Sequence, residues 1–85
     1  NKRLKTFQLR LEQEEQQKYI DYRFNKTTVK RITGLQGVQL DLFLLRYRPD
    51  YEFTSNADEL IFNQYILNNY YKFKLELLQK GGLKK

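Results

Sequence analysis

Val38-Gln39-Leu40-Asp41-Leu42-Phe43-Leu44-Leu45-Arg46-Tyr47-Arg48-Pro49 is the most apolar stretch of this 85-residue chain. Its apolar side chains fall all round a helical wheel, so it reads as a buried central helix that needs neighbours on both sides. Gly34 and Gly37 punctuate the chain before it. Pro49 closes it, because proline cannot continue a helix and pushes its predecessor out of the α region. The expected fold is all-α: a small domain of three to four helices, with an N-terminal helix and room for one short extended segment near residues 51–62.

Upstream, Tyr19-Ile20-Asp21-Tyr22-Arg23-Phe24 brings apolar bulk to the end of a first helix. Asn25 or Thr27 caps a short second helix that runs to about Thr33, with Val29 and Ile32 inward and Lys30 and Arg31 outward. Gly34 fits a left-handed helix stop. Gly34-Leu35-Gln36-Gly37 has the form of a nucleic-acid clamp loop, but its middle residues are not basic, and a tight interhelical turn explains the glycines. Residues 1–12 carry both a helical spacing (Leu4, Phe7, Leu11) and a strand-like alternation. The strong helix formers Glu12 to Lys18 that follow favour a helix.

Downstream, Asp50 to Ser55 reads as a loop or short extended piece with Tyr51 and Phe53 on one side. Asn56-Ala57-Asp58-Glu59 has the form of a capping box for a last helical stretch. The Asn68-Asn69 pair is expected to divide that stretch, and Gly81-Gly82 to stop it. The organisation expected is a helical arm over 1–24, a compact helical domain over 25–80 and a basic tail over 81–85.

Composition narrows the chemistry. Without cysteine or histidine, disulfide scaffolds, the usual zinc ligands and the Ser-His-Asp and Cys-His nucleophile pairs are unavailable. No enzymatic activity, cofactor, metal or small-molecule substrate is expected. Seven Tyr and six Phe supply the core, each aromatic burying about 150 to 250 Å². No apolar run approaches the roughly 20 residues of a membrane span, so no membrane partner is expected, and the missing cysteines suit a reducing, intracellular compartment. Because it begins with Asn1 rather than Met, the chain is expected to be an excised fragment of a longer protein.

The net charge of +6 is unevenly placed. Residues 50–78 hold five acids and two bases, against a basic excess everywhere else, and between Asp50 and Tyr71 there is no Lys or Arg at all. Such an acidic window in a basic chain suits a protein-interaction module or subunit that meets a basic partner segment. The competing reading is a nucleic-acid binder with Lys26, Lys30, Arg31, Arg46 and Arg48 on phosphates and Tyr47 for stacking.

Val29-x-x-Ile32-Thr33-Gly34, Leu40-x-x-Phe43-Leu44-x-x-x-x-Pro49, Asn56-Ala57-Asp58-Glu59-Leu60-Ile61-Phe62 and a final helix with Leu75 and Leu78 together resemble the extra-terminal domain of bromodomain and YEATS-family proteins. The resemblance covers about residues 29–78. Thr33 stands where that family has proline, and Leu60-Ile61-Phe62-Asn63 has lost the family's alternating charge. The resemblance implies a nuclear module of a transcription or chromatin assembly that takes a basic and apolar partner segment by strand addition. It further implies that Asp58, Glu59, Leu60 and Phe62 meet the partner strand and that Leu40, Phe43 and Leu44 line the groove.

Overall fold

The computed structural model describes residues 2–82, with side chains from 9 to 79. The chain is helical as expected, in five elements: α1 (Lys2–Arg23), α2 (Lys26–Thr33), α3 (Gly37–Arg46), α4 (Tyr51–Asn56) and α5 (Glu59–Gly82). No strand occurs among the described residues. No helix among them is long and apolar enough to cross a membrane.

Local chemistry sets the boundaries. Asn25 caps α2, its Oδ1 accepting the Thr28 N–H at 2.8 Å. Gly34 ends α2 at φ 80°, the left-handed conformation that side chains disfavour. After α3 the Tyr47 N–H still bonds the Phe43 carbonyl, and Pro49 is buried just beyond.

The segment after Pro49 differs from its sequence reading. Residues 51–56 form a helix rather than an extended piece, because Asp50 caps them: its Oδ1 accepts the Phe53 N–H at 2.8 Å. Asn56 is the last residue of α4, not a cap, and its amide returns to the Glu52 carbonyl. Asp58 caps α5 instead, accepting the Ile61 N–H at 2.8 Å. Nor do Asn68 and Asn69 divide α5. Asn69 is buried, and its amide donates to the Tyr65 carbonyl one turn back at 3.0 Å, so the helix contains the polar pair. Gly81 and Gly82 fall in its last turn; the rest of the expected basic tail, residues 83–85, lies outside the described residues.

One aromatic-centred core is made by α1, α2, α3, α5 and their connections, Ile20, Phe24, Val29, Leu35, Leu40, Phe43, Ala57, Phe62, Ile66 and Phe73, with Phe53 of α4 packed against it. Phe43 is its hub, with ring centroids 6.1 Å from Phe24, 5.1 Å from Tyr47 and 5.5 Å from Phe73. The helix α3 is not covered all round, however. Leu40 and Phe43 are buried, whereas Val38 and Leu45 are 73% and 79% exposed and Leu42 lies open between them. A chain of this length has too little surface to cover both faces of a central helix.

The second half of α1 belongs to the body, since Ile20 and Phe24 are core residues and α1 packs along α4. Arg23 fastens the two. Its guanidinium donates to the carbonyls of Thr54 at 2.5 Å and Ala57 at 2.6 Å, and lies 4.3 Å from the centre of the Phe62 ring. The molecule is elongated, with a radius of gyration of 16.3 Å against about 12 Å for a compact domain of this length. The two long helices, each about 33 to 36 Å from the rise of 1.5 Å per residue, account for the extension.

Candidate interaction site

The acidic window maps to the place where α4 turns into α5. Asp50, Glu52, Asp58 and Glu59 are all exposed, and none is in an ion pair among the described residues. Between the two helices lies an open, mostly apolar groove of about 270 Å³ lined by Phe53, Ile61, Gln64, Tyr65 and Asn68. Asp50 and Asp58 tie the acids to this groove directly, because each caps its helix by accepting the backbone N–H of a lining residue, Phe53 and Ile61. Tyr65 registers the resulting field. Burial, and then the negative charge of Asp50, push its hydroxyl above the ordinary tyrosine range. That hydroxyl donates to the Tyr47 carbonyl at 2.8 Å, which holds the ring in the groove wall.

The residues that the extra-terminal resemblance assigned to a partner separate into two groups. Asp58, Glu59 and Leu60 are accessible at the start of α5. Phe62, Leu40 and Phe43 are not: all three are core, Phe62 and Phe43 facing the Phe24 ring at 6.4 and 6.1 Å. Leu44 is half-buried against them. The groove-lining role therefore moves to Phe53, Ile61 and Tyr65. Strand addition has no edge here, because residues 59–62 are the first turn of a helix, where free N–H groups point along the axis rather than sideways.

Three of the five basic candidates are engaged in ion pairs. Lys26 pairs with Asp41 at 3.2 Å, Arg46 with Glu76 at 2.9 Å, and Arg48 with Asp21, its second nitrogen meeting the Gln17 side chain at 2.9 Å. Lys30 and Arg31 stay exposed on α2 without an ion pair among the described residues. Tyr47, the stacking candidate, is packed against Phe43 and Phe73 and donates its hydroxyl to Glu76. Burial first, and then this hydrogen bond to a carboxylate, raise its pKa.

Compared with protein-family models, curated proteins and solved structures, the chain matches none. The chemistry of the groove is thus read from its own residues. Sequence reasoning found the acids but missed Phe53, Ile61 and Tyr65 as the surface they serve. The available signal was the Asp-x-x spacing, Asp50 to Phe53 and Asp58 to Ile61, that makes each acid a helix cap.

Proposed function

We propose that the chain is a non-enzymatic protein-interaction module, a helical subunit of a larger assembly, whose α4–α5 groove takes a partner segment with an apolar side chain flanked by Lys or Arg. One observation carries this reading: an open, mostly apolar groove lies where α4 meets α5, and two exposed carboxylates without an ion pair among the described residues, Asp50 and Asp58, accept the backbone N–H groups of its lining residues Phe53 and Ile61. An apolar side chain entering it would gain about 1.5 to 3 kcal/mol from burial. The surrounding acids would add orientation and salt-dependent attraction more than affinity. The cysteine-free composition and the extra-terminal-like spacing support an intracellular, nuclear setting and a chromatin or transcription assembly, with docking into a groove between helices in place of strand addition.

The test is a calorimetric titration with a peptide of alternating Lys and Leu. Ile61→Lys, at an exposed lining position, is expected to lower affinity at least tenfold. Asp58→Asn removes a charge while an asparagine still caps the helix, and should weaken binding by a smaller, salt-dependent factor. Affinity unchanged by both substitutions would remove the groove from consideration.

A further inference from the structure

A cleft on the other side of α4 has a chemistry unlike that of the α4–α5 groove. It opens between α1 and the start of α4, has a volume of about 350 Å³, and is lined by Glu12, Glu15, Gln16, Tyr19 and Tyr51. The first four are spaced i, i+3, i+4 and i+7, so they share one face of α1. Tyr51, the first residue of α4, supplies the opposite wall. The two rings are fixed by their neighbours: Tyr19 and Tyr51 meet edge to face with centroids 6.0 Å apart, and Tyr22 stacks on Tyr19 at 6.3 Å. Tyr19 and Tyr51 nonetheless stay 36% and 37% exposed. Glu12 and Glu15 are exposed, and neither is in an ion pair among the described residues. No lining residue is basic. Lys18 lies about 100° round α1 from Tyr19, and Arg48, three residues before Tyr51, is bound to Asp21 and the Gln17 side chain.

We propose that this cleft takes the guanidinium of an arginine on a partner protein. Both kinds of wall attract a cation, the carboxylates through their charge and the tyrosine faces through the ring quadrupole. An anion would meet two carboxylates and no compensating base. Among cations the guanidinium fits best. It is flat and weakly hydrated, so it lies against a ring at little cost, while its five N–H donors remain free in the plane for the two carboxylates and the Gln16 side-chain carbonyl. A lysine ammonium is a compact, strongly hydrated charge that gains less from an aromatic face. The chain uses the same combination internally, where the Arg23 guanidinium lies 4.3 Å from the centre of the Phe62 ring and donates to two carbonyls.

This site is separate from the apolar groove. Tyr51 and Phe53 are two residues apart on α4, about 200° round its axis, so one lines the cleft against α1 and the other the groove against α5. Either surface can bind while the other does not. The cleft is open and its carboxylates are exposed, so its attraction for a cation falls as salt rises.

The test is an amide NMR titration of the whole chain with a capped Gly-Gly-Arg-Gly-Gly peptide, which has no apolar side chain for the α4–α5 groove. A single side chain of so few atoms is expected to bind with a dissociation constant on the order of 1 mM. Shifts should centre on Glu12, Glu15, Gln16, Tyr19 and Tyr51, and the same peptide with lysine should bind about threefold more weakly. Glu12→Gln combined with Glu15→Gln keeps good helix formers at exposed positions and should lower affinity about fivefold at low salt. Tyr51→Leu keeps bulk without the quadrupole and should lower it about threefold. Asp58→Asn, at the α4–α5 groove, should leave it unchanged. No shifts at about 20 mM peptide, shifts centred away from the cleft, equal affinity for the arginine and lysine peptides, or affinity untouched by the double glutamine substitution would each overturn the proposal.

Discussion

Replacing Arg23 by methionine keeps an unbranched stem over Phe62 and removes only the guanidinium. That group makes two hydrogen bonds, to the carbonyls of Thr54 and Ala57, both on buried residues, and one contact with an aromatic face. A hydrogen bond to a charged group contributes roughly 1.5 to 3 kcal/mol and a partly exposed cation–π contact about 0.5 to 1 kcal/mol. Arg23 is only half-buried, and solvent returns part of what is lost, so the net destabilisation should be about 3 kcal/mol rather than the sum. Urea denaturation at fixed m-value reads it directly. With m near 1 kcal/mol/M for so small a chain, the midpoint should fall by about 3 M. Arg23→Lys keeps the charge but not the planar fork, and should recover less than half of the loss. A midpoint within about 0.5 M of wild type for Arg23→Met would refute the view that this residue fastens α1 to the α4–α5 turn.

Other perturbations follow from the same contacts. Phe43→Ala empties the hub of the core and should cost about 3 to 5 kcal/mol, enough to leave the far-ultraviolet dichroism of a largely unfolded chain at 37 °C. Gly34→Ala meets no atom within 4 Å but forces a side chain into the left-handed region at φ 80°. The expected cost is about 1 to 2 kcal/mol, from backbone alone, in thermal unfolding. Tyr47 and Tyr65 both hold their protons more tightly in the folded state. Their contribution is intact below the unfolded tyrosine pKa of about 10 and is lost as pH rises through the higher folded values. Stability should therefore fall above about pH 10, and Tyr47→Phe combined with Tyr65→Phe should flatten that fall.

Much of the helical plan was legible locally. Asn25, Gly34 and Pro49 mark boundaries through the conformations they permit or forbid, and these act within a few residues of themselves. Asp50 and Asp58 show the limit of that reading. Both are strong caps, but Asn56 offered a competing cap, and it is the Phe53 N–H bond that Asp50 accepts that sets the frame in which 51–56 is helical. The wheel of α3 misled for a different reason. An apolar residue on every side states that cover is available to be had, not that this chain supplies it, and Val38, Leu42 and Leu45 remain open. For the site, charge was readable by counting along the sequence. Which aromatic side chains line a groove and which fill the core depends on the tilt of α4 against α5, and Phe53 and Phe62 look alike until that tilt is known.

The most direct measurement of the interaction role is a two-dimensional amide NMR titration of the chain with the alternating Lys and Leu peptide. Shifts concentrated at Phe53, Ile61, Gln64, Tyr65 and Asn68, and diminished by Asp58→Asn, are the expected result. Shifts centred instead on Lys26, Lys30 and Arg31, or no shifts at millimolar peptide, would contradict the assignment of the α4–α5 groove as the surface through which this module meets its partner.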